Sequence, residues 1–154
     1  MTLVGLISDT HGLMRPEALE ALRGVSHILH AGDIGSAEVL EQLRAIAPVT
    51  AVRGNNDTQP WAKGIAEREV YQCDGHAIYM LHDLKALDLD PAASGFAAVI
   101  TGHSHKPLIT NKDGVLFVNP GSSGPRRFKL PVTVGVLEVE PGSIRASIRY
   151  LFHE

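Results

Sequence analysis

The chain of 154 residues has one cysteine, Cys73. No disulfide can form within it, and a reducing, cytoplasmic setting is the expectation. It has no surplus of positive charge: 14 basic against 17 acidic side chains leave a net charge of −3, which argues against a broad cationic face and bulk nucleic-acid binding. No apolar run approaches the length of a membrane span, and no basic segment precedes the first apolar run, so neither a span nor a signal peptide is expected. Internal repeats, low-complexity tracts and linkers are also missing. One domain over residues 1–154 is the natural expectation. Hydrophobic content of 44% and charged content of 20% are ordinary for a folded protein with a real core.

Histidine is plentiful. There are eight, clustered beside glycine and acidic residues, which hints at metal.

In the first half, apolar runs Leu3 to Ile7, His27 to Ala31 and Val49 to Arg53 read as buried strands. Arg15 to Gly24 reads as a short helix with proline at its start and glycine past its end. A second helix is expected from Ala37 to Ala47, with Ser36 as its cap and Pro48 ending it. This alternation predicts a parallel sheet whose polar, glycine-bearing turns share one edge. The second half changes pattern. Hairpins are expected for Glu69 to Cys73 with Ala77 to Leu81, turning at Asp74-Gly75, and for Leu108 to Thr110 with Val115 to Asn119. Ala97 to Thr101 is a further strand, and Leu84 to Gly95 is short-helical or irregular. Two longer strands, Val132 to Val139 and Ile144 to Phe152, close the chain. The expected fold is α/β: two β-sheets packed face to face with helices on the outer faces, an αββα four-layer sandwich.

Five strand ends carry polar groups of one kind: Asp9 with His11, Asp33, Asn55, His82, and His103 with His105. Side chains two apart on an extended segment point the same way, so Asp9 and His11 are expected to face one point, as are His103 and His105. Each piece alone has a plain explanation: Asp9 and Asp33 as helix-cap or turn residues, Asn55 in a tight turn, His82 as a hydrogen-bonded core or edge histidine. Their coincidence at successive strand ends is harder to explain that way. Oxygen and nitrogen donors without thiolate suit manganese, iron, nickel or zinc. Seven donors exceed one tetrahedral site and fit two ions.

The order Asp-x-His, Gly-Asp, Gly-Asn, lone His, Gly-His-x-His resembles the calcineurin-like metallophosphoesterase superfamily, over roughly Leu3 to Arg126. The short chain, the His-Ala-Gly-Asp form at His30 to Asp33 and Asn119-Pro120-Gly121-Ser122 resemble its small YfcE-like phosphodiesterase branch. The resemblance implies a metallophosphoesterase-like two-sheet sandwich. It places Asp9, His11 and His105 on a first divalent ion, Asn55, His82 and His103 on a second, and Asp33 between both. These residues are both the metal-ligand and the catalytic candidates. Manganese is the first expectation, with nickel, iron or zinc as alternatives. The implied reaction is hydrolysis of a small phosphodiester, by attack on phosphorus of a hydroxide generated between the ions. Arg126 and Arg127 are candidate phosphate clamps or simply a solvated loop. Asn56 is a further substrate-side candidate, Asp57 a residue that orients a histidine or fixes the turn, and His30 a group packed behind the site.

Two departures from the family pattern stand out. Asn56 occupies the position where relatives carry a histidine able to protonate the leaving oxygen, which an amide cannot do. Asp83 follows His82 where glycine is usual. A catalytically weak interaction scaffold, resembling the retromer subunit of this fold, is therefore the alternative expectation, and a homo-oligomer stays open.

Overall fold

The computed structural model describes residues 1–127 and 129–152; one residue of the loop expected over 120–131 and the last two of the chain lie outside it. Among the described residues, two five-stranded sheets account for the architecture. In the first sheet, β1 (Thr2–Ile7), β2 (His27–His30) and β3 (Val49–Ala51) run parallel, and β9 (Thr133–Glu140) and β10 (Ser143–Tyr150) extend it antiparallel beyond β1. The second sheet has the order β4 (Arg68–Cys73), β5 (His76–Leu81), β6 (Phe96–Ile100), β8 (Val115–Asn119), β7 (Leu108–Lys112), with β5, β6 and β8 parallel in the middle. The β4–β5 hairpin turns at Asp74-Gly75, as expected, and the β7–β8 hairpin turns at Asp113-Gly114, the strand running on through Lys112. Asp74 and Gly75 have φ of 48° and 83°, Asp113 and Gly114 of 55° and 80°, the left-handed pair that a two-residue hairpin turn demands.

Strand alternation sorts the core. Val4 and Leu6 of β1, Leu29 of β2, Ile78 and Met80 of β5, and Val118 of β8 fill the space between the sheets. The opposite faces of β1 and β2 present Ile7 and Ile28 to helices α1 (Pro16–Ala21) and α2 (Ala37–Arg44), where Leu22, Val39, Leu40 and Leu43 cover them.

Three local expectations need correction. Ser36 stands at the start of α2 with extended backbone, but its hydroxyl makes no cap bond. That helix stops at Arg44 rather than Ala47. The third strand stops at Ala51, because the Arg53 N–H leaves the sheet to donate to the Ala66 carbonyl at 2.8 Å. The helical layer outside the second sheet is thin. Tyr79, Leu81, Val99 and Val115 are covered by Leu87 and Leu89 from an irregular segment whose helical part is one 3₁₀ turn, Leu84–Ala86. No helix among the described residues is long and apolar enough to cross a membrane.

Candidate metal centre

Parallel strands β1, β2 and β3 end on one edge of the first sheet and β5, β6 and β8 on the matching edge of the second, so six strand ends converge. The turns are knitted by backbone bonds: Asp9 N–H to Gly32 O at 2.9 Å, His11 N–H to Asp33 O at 2.9 Å and Gly12 N–H to Ile34 O at 2.8 Å in the first sheet, and Gly102 N–H to His82 O at 2.9 Å in the second.

Two groups of donors result. Asp9, His11 and His105 bring one ligand atom each within 4.8 Å of one another, and so do Asp33, His82 and His103. Asp9 and His11 do meet, though not by strand alternation. The strand ends at Ile7, and both residues are left-handed, with φ of 55° and 47°. Asp33, His103 and His105 share that conformation at 54°, 71° and 64°. It is uncommon for any residue but glycine and is tolerated best by short polar side chains. The two histidines of Gly-His-Ser-His accordingly do not face one way, as period two would require. His103 joins Asp33 and His82, whereas His105 joins Asp9 and His11.

The electrostatics of the cluster are unusual. Asp9 is fully buried. Its Oδ2 accepts from Ser8 Oγ at 2.7 Å and from the His103 N–H at 3.0 Å. Its Oδ1 has no hydrogen-bond partner, and stands 3.4, 3.7 and 3.8 Å from the Nε2 atoms of His105, His11 and His82. His82 is oriented from behind: its Nδ1 donates to the Ala31 carbonyl at 2.7 Å. Its Nε2 then faces Asp33 Oδ2 at 3.1 Å, and in the neutral ring carries the lone pair that a metal takes. His11 Nε2 and His105 Nε2 face each other at 3.4 Å. Two carboxylates and three imidazole nitrogens thus converge on a common centre. Buried carboxylates need positive charge beside them, which a divalent cation would supply. The residues present therefore fit a metal.

Burial alone would push the Asp33 carboxyl up. The His82 ring beside it and the Asn56 N–H outweigh that, and its pKa falls to about 2. For His82, the burial that would lower the pKa is outweighed by Asp33 and Asp9, so its pKa is raised. Burial lowers that of His105, with the Arg127 charge acting in the same direction. His30 is fully buried and held neutral; burial first, then the nearby His82, lowers it to about 3. It takes no part in either donor group, and its ring bonds to Thr10 Oγ1 and the Gly32 N–H.

Asn55 is exposed at the head of the β3 turn. Asn56 turns back onto Asp33, with its N–H on Oδ1 at 3.0 Å and its amide on Oδ2 at 3.3 Å. Asp57 is buried and accepts three backbone N–H groups, from Ile34, Gly35 and Gly54. Of the two roles expected of Asp57, it fills that of fixing the turn. Asp83 turns one oxygen to the Lys85 N–H at 3.0 Å and the other to within 3.7 Å of His103 Nε2. Arg126 and Arg127 are exposed on the loop after β8.

Residues without a metal-ligand signature complete the frame. Asn119 holds the Gly102 carbonyl at 2.9 Å, Ser122 holds the Asp9 carbonyl at 3.0 Å, and Arg15 grips the Gly124 carbonyl with two nitrogens at 3.2 and 3.1 Å. The Asn119-Pro120-Gly121-Ser122 stretch was the signal for the first two; nothing in the sequence marked Arg15.

Close packing makes Gly54 critical. A Cβ there would collide with Asp33 Oδ1 and the Asp33 backbone nitrogen. We expect Gly54→Ala to displace the Asp33 carboxylate and lower manganese binding by about tenfold or more, as second-rank perturbations of metal sites do. Titration calorimetry with manganese checks this; unchanged affinity would mean that the turn yields.

The profile of the calcineurin-like phosphoesterase superfamily domain matches residues 2–142. A protein from Methanothermobacter thermautotrophicus described as a probable metallophosphoesterase is 33% identical over 158 residues, covering 95% of this chain and 91% of its own. A solved structure described as a novel archaeal phosphodiesterase superposes with a TM-score of 0.79 at 25% identity, covering 96% of this chain and all of the other. The Vps29 single mutant from Entamoeba histolytica superposes with a TM-score of 0.76 at 25% identity, covering 97% of this chain and 99% of that one. A profile spanning nearly the whole chain, a relative matched end to end and the paired donor groups at the strand ends agree: the chain belongs to the calcineurin-like phosphoesterase superfamily.

Proposed function

We propose that this protein is a phosphodiesterase that works with two divalent metal ions. The observation carrying the proposal is the buried, unpartnered Asp9 Oδ1, ringed by three imidazole nitrogens next to a second carboxylate–imidazole group. Asp9, His11 and His105 would hold one ion; Asn55, His82 and His103 would hold the other; Asp33 would serve both. Bound there, the ions would supply an activated water and neutralise charge on the phosphoryl oxygens.

The chain's own residues do the rest. The Ala31 carbonyl fixes the His82 tautomer. The His82 ring and the Asn56 N–H hold the Asp33 carboxylate ionised, and the Asn56 amide helps to orient it. Arg127, whose charge is felt by His105, is placed to attract an anionic diester to the mouth of the site. The Asn56 amide is occupied and cannot give up a proton, so a diester with a stable leaving group suits the site.

The name phosphodiesterase borne by one structural relative supports the reading. The Vps29 likeness supports the alternative of an interaction scaffold, but the full set of donor types favours the enzyme. The test is elemental analysis after manganese reconstitution, with hydrolysis of bis(4-nitrophenyl) phosphate before and after chelation. About two equivalents of metal and chelator-sensitive hydrolysis are expected. Metal near zero with the fold intact would reject the two-ion reading. Metal without hydrolysis would favour the scaffold.

A further inference from the structure

The thin cover of the second sheet leaves a cavity of about 830 Å³ on its outer side. Its apolar lining comes from Leu87 and Leu89 of the irregular segment and from Leu108, Val115 and Phe117 of the β7–β8 hairpin. It runs up to His103, which lines it too and also belongs to the Asp33–His82–His103 donor group. A ligand whose phosphoryl group sits at that donor group thus has the cavity directly beside it.

We propose that this cavity receives the second organic arm of the diester, and that the arm is neutral, flat and aromatic, about the size of a nucleobase or naphthyl ring. The inference rests on the phosphodiesterase reading and names the substrate class of the same site. Three features select the arm. The volume lies within the range that takes whole organic ligands, roughly 300–1,000 Å³, and is far more than a methyl or ethyl ester fills. The floor is apolar and includes the half-buried Phe117 ring, a surface on which another ring stacks well. The rim carries Lys85, Lys106 and Lys112 against Asp83, Asp90 and Asp113. Three charges of each sign leave no net attraction for a further phosphate, so an arm bearing a second anion gains nothing there. Asp83, at the boundary beside His103, also disfavours an anionic arm.

The test uses two phosphonates whose carbon–phosphorus bond the enzyme cannot hydrolyse: 1-naphthylmethylphosphonate and methylphosphonate, titrated into manganese-loaded protein and followed by calorimetry and naphthyl fluorescence. The naphthyl compound is expected to bind about tenfold or more tightly. Leu108→Asp and Leu84→Asp alter exposed side chains of the cavity wall, at 53% and 45% exposure, so both variants should fold, with thermal unfolding as the check. In each, the ratio of the two dissociation constants should fall towards one. No preference in the natural protein, or a preference that survives both substitutions, would overturn the proposal. Hydrolysis of bis(4-nitrophenyl) phosphate, run in parallel, separates the failures. If it persists while the preference is missing, only the cavity's role is wrong. If it is absent too, the phosphodiesterase reading has failed with it.

Discussion

Replacing Asp33 by alanine should lower phosphodiester hydrolysis by about a thousandfold or more, on the order of 4 kcal/mol of barrier, while the protein stays folded. Asp33 stands where the two donor groups meet: its Oδ2 is 3.1 Å from His82 Nε2 and 3.7 Å from His11 Nε2. Each of the other proposed ligands serves one ion, so only this deletion should reduce manganese content at both. Its pKa of about 2 means that the carboxylate stays charged at any pH where the enzyme would work, so the loss should be flat across neutral pH. Asp33→Asn is the sharper variant. It keeps the shape and the left-handed φ that asparagine tolerates, and removes the charge. Elemental analysis and hydrolysis of bis(4-nitrophenyl) phosphate are the measurements. A variant retaining two equivalents of metal and full activity would remove Asp33 from its central role.

Asp57→Ala should act the other way round, on stability first. The buried carboxylate accepts N–H groups at 3.1, 3.0 and 2.9 Å from Ile34, Gly35 and Gly54, binding the turn after β2 to the turn after β3. Alanine would leave the buried Ile34 and Gly54 donors unsatisfied, at about 1–3 kcal/mol each, and the part-buried Gly35 donor to water. A loss of roughly 3–5 kcal/mol is expected, a large share of the ~5–15 kcal/mol that holds a domain together. The urea midpoint should fall accordingly, with the slope of the transition unchanged. Asp57→Asn, which can still accept some of these bonds, should lose about half as much. A midpoint within error of the natural protein would show that water substitutes for the carboxylate.

The two positions illustrate what could be read from the sequence. Asp33 was legible because a polar residue after Gly32, at the end of an apolar run, is a local pattern, and its recurrence at Asp9, His82 and His103 needed no coordinates. The role of Asp57 was only half legible. A carboxylate three residues after Gly54 suggests a turn, but its bonds to Ile34 and Gly35 join residues more than twenty positions apart. The parallel first sheet followed from the strand–helix alternation and the β4–β5 hairpin from its Asp-Gly turn, but the order of strands within each sheet did not, because it is set by long-range pairing such as that of β1 with β9. Alternation brings Asp9 and His11 together for the wrong reason, since period two governs extended chain and both residues lie in a left-handed turn. The Ser36 cap failed because a residue type reports only the capacity to bond, whereas the partner is set by the packing of the whole turn. The cavity outside the second sheet was invisible for a related reason: an irregular segment has no period, so nothing in residues 84–95 announces how much of Phe117 it leaves uncovered.

The left-handed backbone at Asp9, His11, Asp33, His103 and His105 sets backbone ease against the proposed ligand roles at the same codons. A non-glycine residue there costs about 1–2 kcal/mol, and glycine would relieve it. For the two less buried members, His11 and His103, whose side chains are 24% and 46% exposed, little packing would be lost in the exchange. A library sorted for protease resistance alone should therefore accumulate glycine at these two positions, whereas one sorted for phosphodiester hydrolysis should reject it. Under relaxed selection for catalysis, drift at these positions would run towards a sturdier and idle protein.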